Sequence, residues 1–399
     1  MLALDRIYHA AYVLKGVARK TDLIAAPHLV SGMEDLYLKT ENLQVTGSFK
    51  LRGASYKISQ LPKGDLERGI IACSAGNHAQ GVALAATHMG VRSIVCMPDG
   101  APIMKVESTR RLGAEVRLVK GSYDDAHDEA VRLQEKTGAT LIHPYDDEDV
   151  ICGQGTIGLE IMDQLEGVDA VVVPVGGGGL ISGVACAVKS LKPSCQVFGV
   201  QAAGASAMVE SFRRGDWYAS DTASTFADGI AVKNPGEITF QMVRKYVDDI
   251  VTVSDDEIAA AILNLMERQK VVAEGAGAVP VAAAMFDKLP LAGKRVVCVV
   301  SGGNIDVNIL SRVINRGLAM SGRKVTMEIR LTDKPGQLQQ VSTIIAELGA
   351  NVVSVDYDLS DPDLPISSCT LRVGMETRDQ AQIDQIRAKL VGEGFALVG

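Results

Sequence analysis

The six histidines form no H-E-x-x-H, the seven cysteines no C-x-x-C, and no G-x-S-x-G occurs. These absences argue against a zinc site and against a serine nucleophile elbow. No apolar run approaches the roughly 18 residues that a membrane span requires. No Lys/Arg-rich block offsets a formal charge of -8. Neither a membrane nor a nucleic acid is therefore an expected partner. The opening "MLALDRIYHAAYVLKG" carries Asp5 and Arg6 inside its apolar pattern, so it reads as an amphipathic helix rather than a signal peptide. Seven scattered cysteines, an odd number, read as reduced, mostly buried thiols of a cytoplasmic protein.

What is present suits a large folded chain. With 399 residues, 47% hydrophobic and 22% charged, two or three domains with a substantial core are expected. Short β-branched runs, among them 36–40, 69–73, 92–98, 114–119 and 139–143, alternate with helical patterns at 77–90, 122–137, 153–166 and 254–270. Further runs lie at 169–175, 195–201, 249–253 and 294–302. That grammar predicts an α/β fold with parallel sheets covered on both faces. It changes near 319–324. Beyond "AMSGRK" the pattern is βαββαβ over about 75 residues, a ferredoxin-like unit, so a boundary falls near 320–324.

Four stretches sit at strand-to-helix junctions or helix starts. Gly176, Gly177, Gly178 and Gly179 follow the buried strand "AVVVPV" and open a helix. Four glycines cost chain entropy. They make sense where backbone N–H groups approach an anion, commonly phosphate. The spacing is neither G-x-G-x-x-G nor a Walker loop. "SAGNH", residues 74–78, gives several donors in one turn, suited to a carboxylate or a phenolic oxygen, with Ser74 or Asn77 also serving as N-cap. In "VVSGGNIDVN", Ser301 ends a buried strand and Asn304 starts a helix. In "TGSFKLRGA", Lys50 supplies an amine, and beside the other three stretches it suggests covalent catalysis through a Schiff base. Pyridoxal phosphate offers a phosphate, a phenolic oxygen, a pyridine nitrogen and an aldehyde, one for each stretch.

Taken in order, "TGSFKLRGA", "SAGNHAQG", "GGGGL", "ADGIAV" and "SGGN" resemble the threonine dehydratase family of fold-type-II pyridoxal phosphate enzymes, close to serine racemase. The resemblance runs from about residue 5 to 318. It implies a two-lobed, tryptophan synthase β-like catalytic region over 1–320, with a small lobe at approximately 41–145 nested in the large one. "DKPGQL" in its βαββαβ setting resembles an ACT domain, which implies a regulatory unit over 325–399. By resemblance Lys50 carries the coenzyme, Phe49 lies against its ring, Asn77 bonds the ring oxygen, Gly176 to Gly179 hold the phosphate and Ser301 faces the ring nitrogen. Ser74, Ala75, Gly76, Asn77 and His78 form the substrate turn, with Ser74, Gly76 and His78 on the carboxylate. Gly229 and Glu274 line the pocket.

A neutral hydroxyl at Ser301 leaves the ring a weaker electron sink than an aspartate would, which favours β-elimination over transamination. The implied reaction converts L-threonine to 2-oxobutanoate and ammonia, and L-serine to pyruvate, with Lys50 moving the Cα proton. Ala75 stands where racemases of this family carry a proton-donating serine, and Gln201 where they carry a metal-binding glutamate. Racemisation and a metal are therefore not expected. The alternatives are a lyase or racemase acting on L-serine or 3-hydroxyaspartate, and a catalytically silent amino-acid sensor. In the ACT-like unit, Asp333, Pro335, Gly336, Gln337, Leu338 and a facing Asn351 are the implied contacts for an amino-acid effector. Isoleucine is the effector expected if the enzyme is biosynthetic. Paired ACT units imply a homo-oligomer, a tetramer.

Overall fold

A computed structural model describes residues 3–359 and 365–398. The first two residues of the expected amphipathic helix and the last residue of the expected final strand lie outside the described residues. The chain divides into two compact units, Met1–Ile305 and Asp306–Gly399.

The first unit holds two sheets. Its strands are β1 (Leu23–Ala25), β2 (Leu36–Thr40), β3 (Ile70–Cys73), β4 (Ser93–Pro98), β5 (Glu115–Val119), β6 (Thr140–Leu141), β7 (Ala170–Pro174), β8 (Gln196–Ala202), β9 (Asp249–Val253) and β10 (Val296–Val300). The larger sheet has the order β1-β2-β10-β7-β8-β9, the smaller β5-β4-β3-β6. Every pairing within them is parallel except β1 with β2. The sequence pattern gives no sign of β1, whose three residues are too few to show a period.

β7 and β10 are buried at every position, as their unbroken apolar runs require in a sheet covered on both faces. Because β2, β10 and β7 are adjacent and parallel, the segments leaving their C-terminal ends emerge side by side. Those segments are 41–49, 301–304 and 175–179. That edge is where open α/β sheets place ligands. The small sheet contributes the turn after β3, residues 74–76. The helix Glu148–Gln164 packs between the helices Lys50–Ser59 and Gly179–Leu191. Gly153 permits this, since a Cβ there would lie 2.5 Å from Arg52 O.

The second unit begins with a helix, Val307–Met320, capped by Asp306. β11 (Lys324–Thr332), β12 (Asn351–Asp358), β13 (Ser368–Glu376) and β14 (Ala396–Val398) follow, with helices Gln337–Glu347 and Gln380–Gly392 between them. Their antiparallel order β12-β13-β11-β14 is that of a ferredoxin-like βαββαβ unit. Its core joins the inward positions of β11 and β13, such as Ile329 and Leu371, to Val341 and Ile386 of the two helices. Among the described residues no helix is long and apolar enough to cross a membrane.

Candidate active site

Lys50 is the first residue of its helix. The segment before it is pinned to the end of β10, where Phe49 N donates to Ser301 O at 3.1 Å and Ser48 bridges to Gly302. Lys50 Nζ donates to Pro144 O at 2.7 Å and lies 5.3 Å from the centre of the Phe49 ring. Packed protein strips water from the amine and pushes its pKa down to about 8, although the Glu274 carboxylate opposes the fall.

The chain next to that acceptor forms the wall of the glycine loop. A Cβ on Gly177 would lie 2.4 Å from Tyr145 Cγ, and one on Gly179 2.9 Å from Tyr145 Cα. Gly178 has φ +99° and caps the helix that starts at Gly179. Only glycine fits both the left-handed backbone and the close approach. What remains is a run of bare backbone at a helix N-terminus, a cradle for an anion. Gly177→Ala is expected to destabilise the coenzyme-free protein by about 1–3 kcal/mol through overpacking. A double-mutant cycle with Tyr145→Ala, read by urea unfolding, should show coupling between the two sites. Additive costs would mean that the ring and the loop do not meet.

Gly176 continues the wall, since a Cβ there would come within 3.1 Å of Ile230 Cα. The neighbouring Gly229 faces Glu274, whose Oε1 lies 3.5 Å from the place of its missing Cβ. Glu274 is the N-cap residue of the helix Gly275–Met285, is buried, and donates its backbone N–H to Gly302 O at 3.0 Å. Burial pushes its carboxyl up to about 7, with the charge of Asp228 adding to the shift. Asn77 Nδ2 donates to Glu274 Oε1 at 2.7 Å, and Asn304 Nδ2 donates to Asn77 Oδ1 at 2.8 Å.

Two capping expectations are corrected here. Asn304 does not start a helix; its side chain joins Asn77 to Thr46 O, and the next helix waits for Val307. The N-cap before Asn77 is Gly76, with no side-chain cap from Ser74 or Asn77. Ser74 Oγ instead accepts from Gly76 N at 3.1 Å, holding the turn around Ala75. His78 is buried and places Nε2 2.8 Å from Ile142 O. Burial, then the nearby Lys50 charge, pushes its pKa down to about 3. A neutral His78 therefore donates Nε2–H to that carbonyl.

The contacts form a closed circuit. Lys50 meets Pro144, Tyr145 meets Gly177, Gly176 meets Gly229, Gly229 meets Glu274, Glu274 meets Asn77 and Gly302, and Ser301 meets Phe49. All the expected catalytic, coenzyme and substrate residues lie on this circuit or in the 74–78 turn. Tyr145 and Pro144 were not expected. They lie in the connection that leaves the C-terminal end of β6, and that end of a parallel strand was the signal that could have found them. The expected effector residues belong to the second unit. Residues 333–336 form an exposed turn, Gly336 has φ +95° before the helix that begins at Gln337, and Leu338 is exposed in its first turn. Asn351 opens β12 and donates to Glu376 Oε2 at 3.1 Å.

Comparison with known proteins places this geometry. A family model described as "Pyridoxal-phosphate dependent enzyme" matches residues 14–302. The chain is 51% identical over 397 residues to an L-threonine ammonia-lyase of Thermotoga maritima, covering 99% of this chain and 98% of the relative. The processed form of threonine deaminase isoform 2 from Solanum lycopersicum superposes with a TM-score of 0.75 at 38% identity, over 78% of this chain and 86% of that one. A maize serine racemase superposes with a TM-score of 0.74 at 33% identity, over 80% of this chain and 98% of that one.

Proposed function

Because the chain belongs to the pyridoxal-phosphate dependent enzymes, in the threonine dehydratase group of fold type II, we propose that this lyase converts L-threonine to 2-oxobutanoate and ammonia. The observation that carries the reading is the circuit joining a water-stripped lysine amine to a four-glycine helix start. The residues fit the coenzyme. The glycine cradle has no room for side chains, and Lys50 Nζ has a backbone carbonyl as its hydrogen-bond partner rather than a carboxylate. In this reading Gly176 to Gly179 hold the phosphate, Asn77 the ring oxygen, and Phe49, Gly229 and Ser301 the ring.

When bound, the coenzyme supplies an aldehyde that captures the substrate amine and a ring that draws electrons from Cα. The remaining work falls to the chain. Lys50 Nζ, with its lowered pKa, is available in neutral form near physiological pH to take the Cα proton. Glu274 accepts one Asn77 N–H and Asn304 donates to its oxygen, so the amide of Asn77 has one orientation. The neutral hydroxyl of Ser301 does not hold a proton on the ring, which favours loss of the β-hydroxyl. Ser74, Gly76 and the turn around Ala75 and His78 receive the substrate carboxylate, with backbone N–H groups and the Ser74 hydroxyl as donors. Products then balance as 2-oxobutanoate and ammonia, the water lost from Cβ being regained on hydrolysis.

L-Serine is the second substrate of this reading, giving pyruvate. Racemisation stays minor because Ala75 has no proton to donate. A silent sensor is disfavoured by the intact circuit. The ferredoxin-like unit supports a regulatory ACT domain over 325–399, with the 333–338 turn and Asn351 of another copy receiving an amino acid such as isoleucine in a homotetramer. The test is a steady-state assay of the purified, B6-loaded protein on L-threonine and L-serine, with and without L-isoleucine. The expected result is 2-oxobutanoate from threonine and little D-serine from L-serine. Ligand-induced assembly without turnover would overturn the reading.

A further inference from the structure

The connection between β6 and the helix Glu148–Gln164 carries a titratable ring that the proposed chemistry leaves unused. His143 stands one residue before Pro144, whose carbonyl accepts from Lys50 Nζ, and two before Tyr145, whose ring lies against the glycine loop. We propose that His143 is a positioning residue for the coenzyme site: its neutral Nδ1, as a double acceptor, folds the 143–146 turn that sets Pro144 O on Lys50 and the Tyr145 ring on Gly177. The proposal rests on the reading of Lys50 and Gly176 to Gly179 as the coenzyme's anchors.

Nδ1 accepts the backbone N–H of Tyr145 at 3.3 Å and that of Asp146 at 2.8 Å. The two bonds tie the turn together across Pro144, which has no N–H of its own. The imidazole also meets the Tyr145 ring edge-on, with centres 4.7 Å apart at 84°. At its far end Tyr145 Oη donates to Asn234 O at 2.9 Å, so the ring that faces the glycine loop is held on both sides. A nitrogen that accepts two N–H groups carries no proton, so the proton of the neutral ring is on Nε2. Among the described residues Nε2–H has no acceptor, and the polar work of the ring is all done by Nδ1. The surroundings agree with a neutral ring. Burial pushes its pKa down, Lys50 and His127 of the helix Tyr123–Thr137 push the same way, and Asp146 and Asp147 oppose. His78, on the helix Asn77–His88, faces the same ring. A proton on Nδ1 would set donor against donor, and the opened turn would release Pro144 O and the Tyr145 ring together.

Asparagine makes the same side-chain bond to the N–H two residues on, and that equivalence supplies the test. His143→Asn keeps the acceptor without the ring. His143→Leu keeps the bulk without the acceptor. Two quantities are read on coenzyme-free, full-length protein: the dissociation constant for pyridoxal phosphate, by absorbance titration, and the pKa of the Lys50 amine, from the pH dependence of its competitive labelling by an amine-reactive anhydride. His143→Leu should weaken coenzyme binding roughly tenfold or more. Water entering the opened turn should also return the Lys50 midpoint from about 8 toward 10.5. His143→Asn should stay within about threefold of wild type in affinity and keep the Lys50 midpoint near its wild-type value. Either quantity left unmoved by His143→Leu would overturn the proposal, and so would equal losses in the two variants. Should His143→Leu fail to fold, the histidine ¹⁵N resonances of the wild type decide. One ring, lost in His143→Asn, must show a bare Nδ1 and a protonated Nε2 at neutral pH, and a proton on its Nδ1 would overturn the proposal. The Lys50 midpoint is read without coenzyme or substrate, so its outcome is separate from whether the protein turns over threonine.

Discussion

Lys50→Ala should abolish turnover of threonine, with a fall of about 10⁴-fold or more, and should remove the absorption that marks covalent attachment of the coenzyme. The expectation rests on position and environment together. The amine is held by a backbone carbonyl beside Phe49, and neither neighbour could replace it as a base or as an attachment point. A pH effect accompanies the change and can be read without the coenzyme. The folded-state pKa is about 8 against an ordinary 10.5, so folding disfavours the protonated amine. The unfolded chain binds more protons between those values, and wild-type stability rises with pH across that window. Coenzyme-free Lys50→Ala should therefore be more stable than wild type below pH 8, by a margin that shrinks toward pH 10.5. Urea midpoints across that range would check it. A constant difference would mean that the amine is not desolvated, and residual threonine turnover near the wild-type rate would remove Lys50 from the chemistry.

The second large effect is on folding. Arg52 lies two residues beyond Lys50 on the same helix, with its side chain fully enclosed. Its Nε and Nη2 reach the two oxygens of Glu41 at 2.9 and 2.8 Å, and its Nη1 and Nη2 reach Glu160 at 2.6 and 3.0 Å. Thr156 Oγ1 and Arg19 O accept further bonds at 3.1 and 3.0 Å. Lys39, also enclosed, adds a contact to Glu160 at 2.6 Å and balances the second carboxylate. Arg52→Ala would leave Glu41 buried without its partner, at a cost of about 3–5 kcal/mol. Arg52→Lys should recover little, because a single ammonium cannot bridge two carboxylates in a plane. Urea unfolding would measure both. A loss below about 1 kcal/mol in Arg52→Ala would show that the cluster relaxes around the gap.

This cluster also shows what a linear reading catches and what it misses. "TGSFKLRGA" singles out Lys50 by chemistry, and the four glycines after an apolar strand single themselves out by composition. Central strands such as β7 and β10 were legible because buried parallel strands are written as unbroken apolar runs. The partners of Arg52 were not, since Glu41 and Glu160 are 11 and 108 residues away and carry no local pattern. Asn304 was misread for a related reason. An asparagine after two glycines satisfies every local rule for a helix cap, yet its side chain is engaged 227 residues away by Asn77. β1 escaped because three residues cannot show a period.

The short connection after β6 carries a consequence of its own. Within residues 143–147, His143 Nδ1 accepts the backbone N–H of Asp146 at 2.8 Å, and Tyr145 Oη donates to Asn234 O at 2.9 Å. Asp146 caps the helix Glu237–Tyr246 through Glu237 N and Thr239 N at 3.0 and 3.1 Å. With Pro144 O accepting from Lys50 Nζ, four tasks of different kinds thus share the four consecutive residues 143–146. Insertion or deletion of a single residue there would put all of them out of register at once, whereas replacement of one side chain leaves the register intact. Natural variation and laboratory redesign at this place should therefore proceed by exchange of residues at fixed length.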